Sequence, residues 1–265
     1  MSGSARRIWG LVYRHLCLFR KSWPRLLELA YWPVLQMLIW GLTAKFLFMR
    51  GGGSLLLVGG ALLGGVLLWE VAMRCQMGVA LGFLEELWSR NLGHVFVSPL
   101  RPWEMVAALI AMSVLRMVAG VVPAIGLAWL LYAFNLFALG PVLVLFFANL
   151  MLMGWAVSFG VMALILRYGA GAEALAWSVL AGLTPICAVY YPAAIIPMPW
   201  RLISLAMPAS HVFEGMRATL RGTVLWGELG WAFGLNLVWG MVAIAVFAAQ
   251  FRSARRRGAL LSIGE

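Results

Sequence analysis

Apolar residues run along this chain in long blocks separated by short polar breaks, and the block lengths predict its elements. Six blocks stand out, at roughly 26–48, 55–73, 106–134, 140–166, 174–190 and 229–251. Each is close to the ~20 residues that a helix rising about 1.5 Å per residue needs to cross hydrocarbon. The predicted fold class is an all-α integral membrane protein with six transmembrane helices. Residues 26–251 form one membrane domain and 252–265 a basic tail. Between blocks, Gly51–Gly53 and the YGAGAE run at 168–173 read as turns. The interval 76–104 is the longest polar one away from the ends, and it reads as a loop with a short helix in which Leu84, Leu87 and Trp88 share a face.

Two regions depart from the block pattern. Residues 1–25 predict an amphipathic helix: Ile8, Trp9, Val12, Leu16 and Phe19 fall within about 100° of arc, with Arg7, Arg14 and Lys21 opposite. Such a helix lies in the headgroup plane or packs against a partner. It is not the pure apolar core of a cleavable signal, and no small-residue cleavage motif follows it. The second region, 184–221, is apolar yet carries Pro185, Pro192, Pro197, Pro199 and Pro208. It also holds the aromatics Tyr190, Tyr191, Trp200 and Phe213 and the polar group His211, Glu214 and Arg217. A continuous membrane helix does not tolerate that many prolines. Broken backbone at membrane depth survives only where protein or a water-filled cavity satisfies it.

Composition strengthens this picture: 64% of residues are hydrophobic and 11% charged, far from a soluble average. The net charge of +11 would suit nucleic acid, but the basic residues sit at the two ends and in the breaks, with no soluble face to present them. Counted for a cytoplasmic N-terminus, fourteen Lys and Arg fall on the cytoplasmic side and five on the other. Both termini are therefore expected in the cytoplasm, with the 76–104 loop inside and the proline-rich region outside. Arg116 lies within the third block and is expected to face protein or water. Glu70 and Arg74, four residues apart, read as a pair where the second helix meets water.

Several chemistries find no support. Cys17, Cys75 and Cys187 are scattered, without metal-ligand spacing, so no metal site is expected. No Gly-rich phosphate cradle precedes Lys21 or Lys45, the two lysines, so the chain is expected not to hydrolyse ATP itself. No serine elbow accompanies His211. Glu28, Glu70 and Glu173 sit near block ends, so no proton relay is visible. Enzyme activity is disfavoured.

Two segments then carry a family resemblance. FLEELWSRNLGHVFVSPLRPWEMVAALI (83–110) resembles the cytoplasmic loop of ABC-2 type permeases, in which an acidic helix precedes an SPL-x-x-x-E turn, here Ser98, Pro99, Leu100 and Glu104. YYPAAIIPMPWRLISLAMPASHVFEGMR (190–217) resembles the extracytoplasmic segment of the same family, with Met207-Pro208 where Asn-Pro is common. The resemblance implies a permease that pairs with itself or a related permease and with two copies of an ABC ATPase, which would bind the ATP and Mg. It implies an ATPase-coupling surface at Leu84, Glu85, Glu86, Leu87, Trp88 and Arg90. The alternative for that stretch is an interfacial helix with snorkelling charges.

The resemblance also makes 191–222 a re-entrant helical hairpin between the fifth and sixth spans. Tyr190, Tyr191, Pro192, Trp200, His211, Phe213, Glu214 and Arg217 then become candidates for a translocation pathway or gate. Simple interfacial anchoring of the aromatics, and mutual satisfaction of the three polar residues, are the plainer readings. The implied function is export of an amphipathic or hydrophobic cargo (lipid, lipid-linked glycan or small hydrophobic compound) across a bacterial cytoplasmic membrane. A non-transporting structural or regulatory subunit is the alternative.

Overall fold

The computed structural model describes residues 3–20, 23–51, 59–89 and 100–256. Nine α-helices occur among them: α1 (Gly3–Arg20), α2 (Trp23–Gly51), α3 (Gly60–Trp88), α4 (Pro102–Tyr132), α5 (Val142–Tyr168), α6 (Ala174–Leu183), α7 (Trp200–Leu205), α8 (Pro208–Leu220) and α9 (Trp226–Arg256). No strand occurs among the described residues. Five helices, α2, α3, α4, α5 and α9, are long and apolar enough to cross a membrane. The chain is thus an all-helical, multi-pass membrane protein.

The central pillar is α3, which packs on α2, α4, α5, α6 and α8. In its most apolar stretch 78% of residues are buried, against 11% in α9, whose outer face is left for lipid or a partner. In lipid the helices gain nothing from excluding water, so close packing and interhelical hydrogen bonds hold them together. Small residues make the close approaches. A Cβ added to Gly154 of α5 would stand 2.6 Å from the Ala72 carbonyl oxygen of α3, and one on Gly65 would stand 2.6 Å from that of Val189. Around these contacts Ser158 Oγ donates to the Gln76 carbonyl at 2.6 Å, and Gln76 Nε2 donates to the Ala176 carbonyl at 3.1 Å. Asn236 of α9 donates to Asn149 of α5 at 3.0 Å. Such bonds contribute on the order of 1 kcal/mol each.

Two apolar layers stack along α3. One contains Leu67, Phe146, Leu180, Val189, Phe213 and Met216. The other contains Leu11 and Val12 of α1, Phe83 and Leu87 of α3, Met105 of α4 and Ala254 of α9. The first helix and the last turns of the ninth therefore meet the same layer, at the Trp88 end of α3.

Two sequence-based boundaries need correction. The second block does not end near Met73: α3 runs unbroken to Trp88, because its polar residues Gln76, Glu85 and Glu86 all find partners inside the fold. The expected fifth span is only the ten-residue α6, ~15 Å long and about half a bilayer core. Pro185 stops it, lacking the N–H that a further turn would use. The chain nevertheless keeps climbing, since Ala176 lies beside Gln76 and Val189 beside Gly65. The basic tail begins as helix, with α9 continuing through Arg256. Gly52, Gly53 and 257–265 lie outside the described residues.

Candidate functional site

At the α1 end a lattice of ion pairs joins three helices. Arg7 of α1 grips Glu104 of α4 with two bonds, Nη2 to Oε1 at 2.6 Å and Nε to Oε2 at 2.9 Å. Glu104 also accepts the backbone N–H of Arg101 at 2.9 Å, closing the first turn of α4. Arg14 of α1 reaches Glu86 of α3 at 3.2 Å, and His15 Nε2 lies 3.6 Å from the same carboxylate. Glu85, the neighbour of Glu86 on α3, pairs with Arg116 of α4 at 2.9 Å. Burial among these groups, reinforced by the charge of Arg116, pushes the His15 imidazole below its usual range. Charges that would be costly near hydrocarbon are thereby neutralised in pairs.

The opposite end is braced by α8. Arg217 donates to the Ala188 carbonyl at 3.0 Å and to Glu214 at 3.1 Å, and Glu214 accepts the Ala193 N–H at 2.8 Å. These bonds pin the irregular chain after α6, where Ala188 holds a left-handed φ of 54° that alanine rarely adopts. His211 lies between the Glu228 carboxylate of α9, at 2.6 Å, and the Leu205 carbonyl of α7, at 2.9 Å. Trp239 Nε1 adds a bond from α9 to the Ala206 carbonyl at 3.0 Å.

The family profile for ABC-2 type transporter matches residues 7–220, from α1 to the end of α8. The chain belongs to the ABC-2 type transporter family. Comparison with curated proteins gives no match. An ABC-2 permease is the membrane-embedded part of an ABC transporter, and membership implies partnership with an ABC ATPase.

Set on the permease, the expected coupling residues fall on the last turns of α3 rather than on a separate loop helix. Leu84, Glu86 and Leu87 are buried and Glu85 is partly so, covered by α1 and α4. Of those described, only Trp88, 51% exposed, faces outward. Arg90 lies outside the described residues, as do Ser98 and Pro99 of the SPL turn. Glu104 of that turn is the helix-closing, Arg7-binding carboxylate of the lattice. Over its described side chains the predicted amphipathic helix packs against the rest of the fold. Leu11, Val12 and His15 face inward, Arg7 and Arg14 reach acids, and Trp9 and Tyr13 stay exposed.

The pathway candidates separate into four groups. Glu214 and Arg217 brace the fold together, whereas His211 turns to α7 and α9 instead. Phe213 is enclosed in the core beside Trp69, so it packs rather than lines a surface. Pro192 and Trp200 are exposed, and Tyr191 closes a turn by donating to the Pro185 carbonyl at 2.6 Å. Tyr190 lines a cavity, with its ring stacked on Trp40 of α2 at 4.1 Å.

Sequence reasoning also misplaced Glu70 and Arg74. The pair exists at 3.0 Å, but it is buried near the middle of α3, not at water, because that helix is longer than its apolar block. The signal that could have located it was the apolar character of Val79–Leu84 beyond Arg74, which continues the helix face.

Proposed function

We propose that this permease exports an amphipathic or hydrophobic cargo (a lipid, a lipid-linked glycan or a small hydrophobic compound) across a bacterial cytoplasmic membrane, driven by ATP that two separate ATPase subunits hydrolyse. The observation that carries this reading is the ion-pair lattice, which ties the end of α3 to α1 and α4 while leaving Trp88 outside. A push delivered there by a closing ATPase dimer moves three helices as one body, rather than bending a free loop. ATP and Mg belong to the partner in this reading, since the chain has no phosphate cradle of its own.

The positive-inside bias supports a cytoplasmic lattice end. Six crossings follow if α6 and the chain to Tyr190 are counted as the fifth. That count is supported by α1 and the last turns of α9 meeting one apolar layer. The pair α7–α8 then forms a re-entrant cap on the outer side. Two copies of the permease enclose the path, as a gated channel or by alternating access, and the largely exposed α2 and α9 are the faces available for pairing.

The test is purification of the tagged full chain from its native membranes. An ABC ATPase is expected to co-purify, with ATP hydrolysis present in the complex and absent from the isolated permease. Hydrolysis by the permease alone, or a preparation with no ATPase subunit, would contradict the reading.

A further inference from the structure

On the side of α3 that faces α2 and α6, two cavities lie one after the other. The first, about 280 Å³, is nearer the α1 end and is lined by Trp32, Arg74, Arg116 and Trp177 among others. The second, about 270 Å³, is lined by Gln36, Glu70, Thr184 and Tyr190 among others. Trp32 and Gln36 are one turn apart on α2, as are Trp177 and Ala181 on α6, so the cavities are successive parts of one groove. An ion pair lies between them. Arg74 lines the first cavity, Glu70 lines the second, and the two meet at 3.0 Å with less than a tenth of either residue exposed.

We propose that this groove binds a zwitterionic amphiphile and that Glu70 and Arg74 are the two groups that recognise its headgroup. The inference rests on the permease reading and narrows its cargo. A headgroup that spans both cavities meets both members of the pair, and a buried charge left without a partner is strongly unfavourable. A purely anionic headgroup would satisfy Arg74 and strand Glu70, and a purely cationic one would do the reverse. A neutral headgroup would compensate neither charge. A headgroup that carries both an ammonium and a phosphate or carboxylate gives each residue a new partner.

The surroundings fit this division. The guanidinium fork of Arg74 matches an oxyanion. Tyr190, which lines the second cavity together with Glu70, offers an aromatic ring suited to an ammonium. Each cavity is just below the size range of small-molecule sites, so it holds a headgroup and not a chain. The chains leave past α2, only 22% of whose apolar stretch is buried.

The experiment is native mass spectrometry of the detergent-purified full-length permease, titrated with dihexanoylphosphatidylcholine, dihexanoylphosphatidylglycerol or octyl glucoside. The zwitterionic lipid is expected to bind about tenfold more tightly than the anionic lipid or the neutral glucoside. The double variant E70Q/R74Q removes both charges and leaves no stranded ion, so it is the variant that preserves folding. It is expected to lose that preference about tenfold. Equal binding of all three probes by the unmodified protein would overturn the proposal, as would an undiminished preference in E70Q/R74Q. Binding is read on the permease without any ATPase, so failure here leaves the ATPase partnership standing.

Discussion

Among single residues, His15 is a buried titratable group at the α1 end: it is 2% exposed, and neither ring nitrogen has a hydrogen-bond partner among the described residues. Its imidazole is held below the usual range by burial first and by Arg116 second, with Glu86 opposing. The folded protein therefore keeps His15 neutral while the unfolded chain takes up a proton near pH 6.5. The unfolded state then binds more protons, so stability is intact above that value and falls as pH drops below it, by at most about 1.4 kcal/mol per pH unit for one group. Thermal unfolding of the detergent-solubilised permease should show a midpoint that declines below about pH 6.5. His15→Phe should flatten that decline. An identical pH profile in the variant would show that His15 is not the responsible group.

At the scale of elements, the long apolar helices were readable because their blocks exceed a bilayer's need. Both misreadings arose where partners in space overrode local character. The continuation of α3 past Met73 looks amphipathic and loop-like, since Gln76, Glu85 and Glu86 read as solvent-seeking. Their partners Ala176, Arg116 and Arg14 lie 100, 31 and 72 residues away in the chain, which no local pattern reveals. Conversely, 174–190 is apolar enough to span, but Pro185 and the left-handed Ala188 turn it into a short helix and a braced irregular chain. Small residues at crossings leave equally little trace. Gly154 sits in an unremarkable apolar run, yet it sets how closely α5 approaches α3. Gly154→Val would drive side-chain atoms into the Ala72 carbonyl and the backbone at Gln76. A loss of about 1–3 kcal/mol is expected from such overpacking, seen as a lower unfolding midpoint. Gly160→Val on the same helix, with open space around its Cβ position, should be tolerated. Equal effects of the two would contradict the close-contact account.

On the scale of the whole molecule, the two ends have different designs. The α1 end is an electrostatic lattice that ties α1, α3 and α4 together, and the opposite end is a proline-rich chain fastened by Arg217, Glu214 and His211. A stiff input at one end and an irregular cap at the other suit a machine driven from one side of the membrane. The family was legible in the sequence through Glu85, Glu86 and the Pro99-to-Glu104 turn. The ion-pair partners of those acids were not, because the cations that hold them come from α1 and from the interior of α4. The most direct measurement of the central claim is site-specific photocrosslinking in native membranes, with a photoreactive residue at position 88 and, separately, at position 195. Both positions are exposed, at opposite ends of the fold. The account predicts that position 88 captures an ABC ATPase and position 195 does not. Capture of the ATPase from position 195, or from neither position, would contradict it.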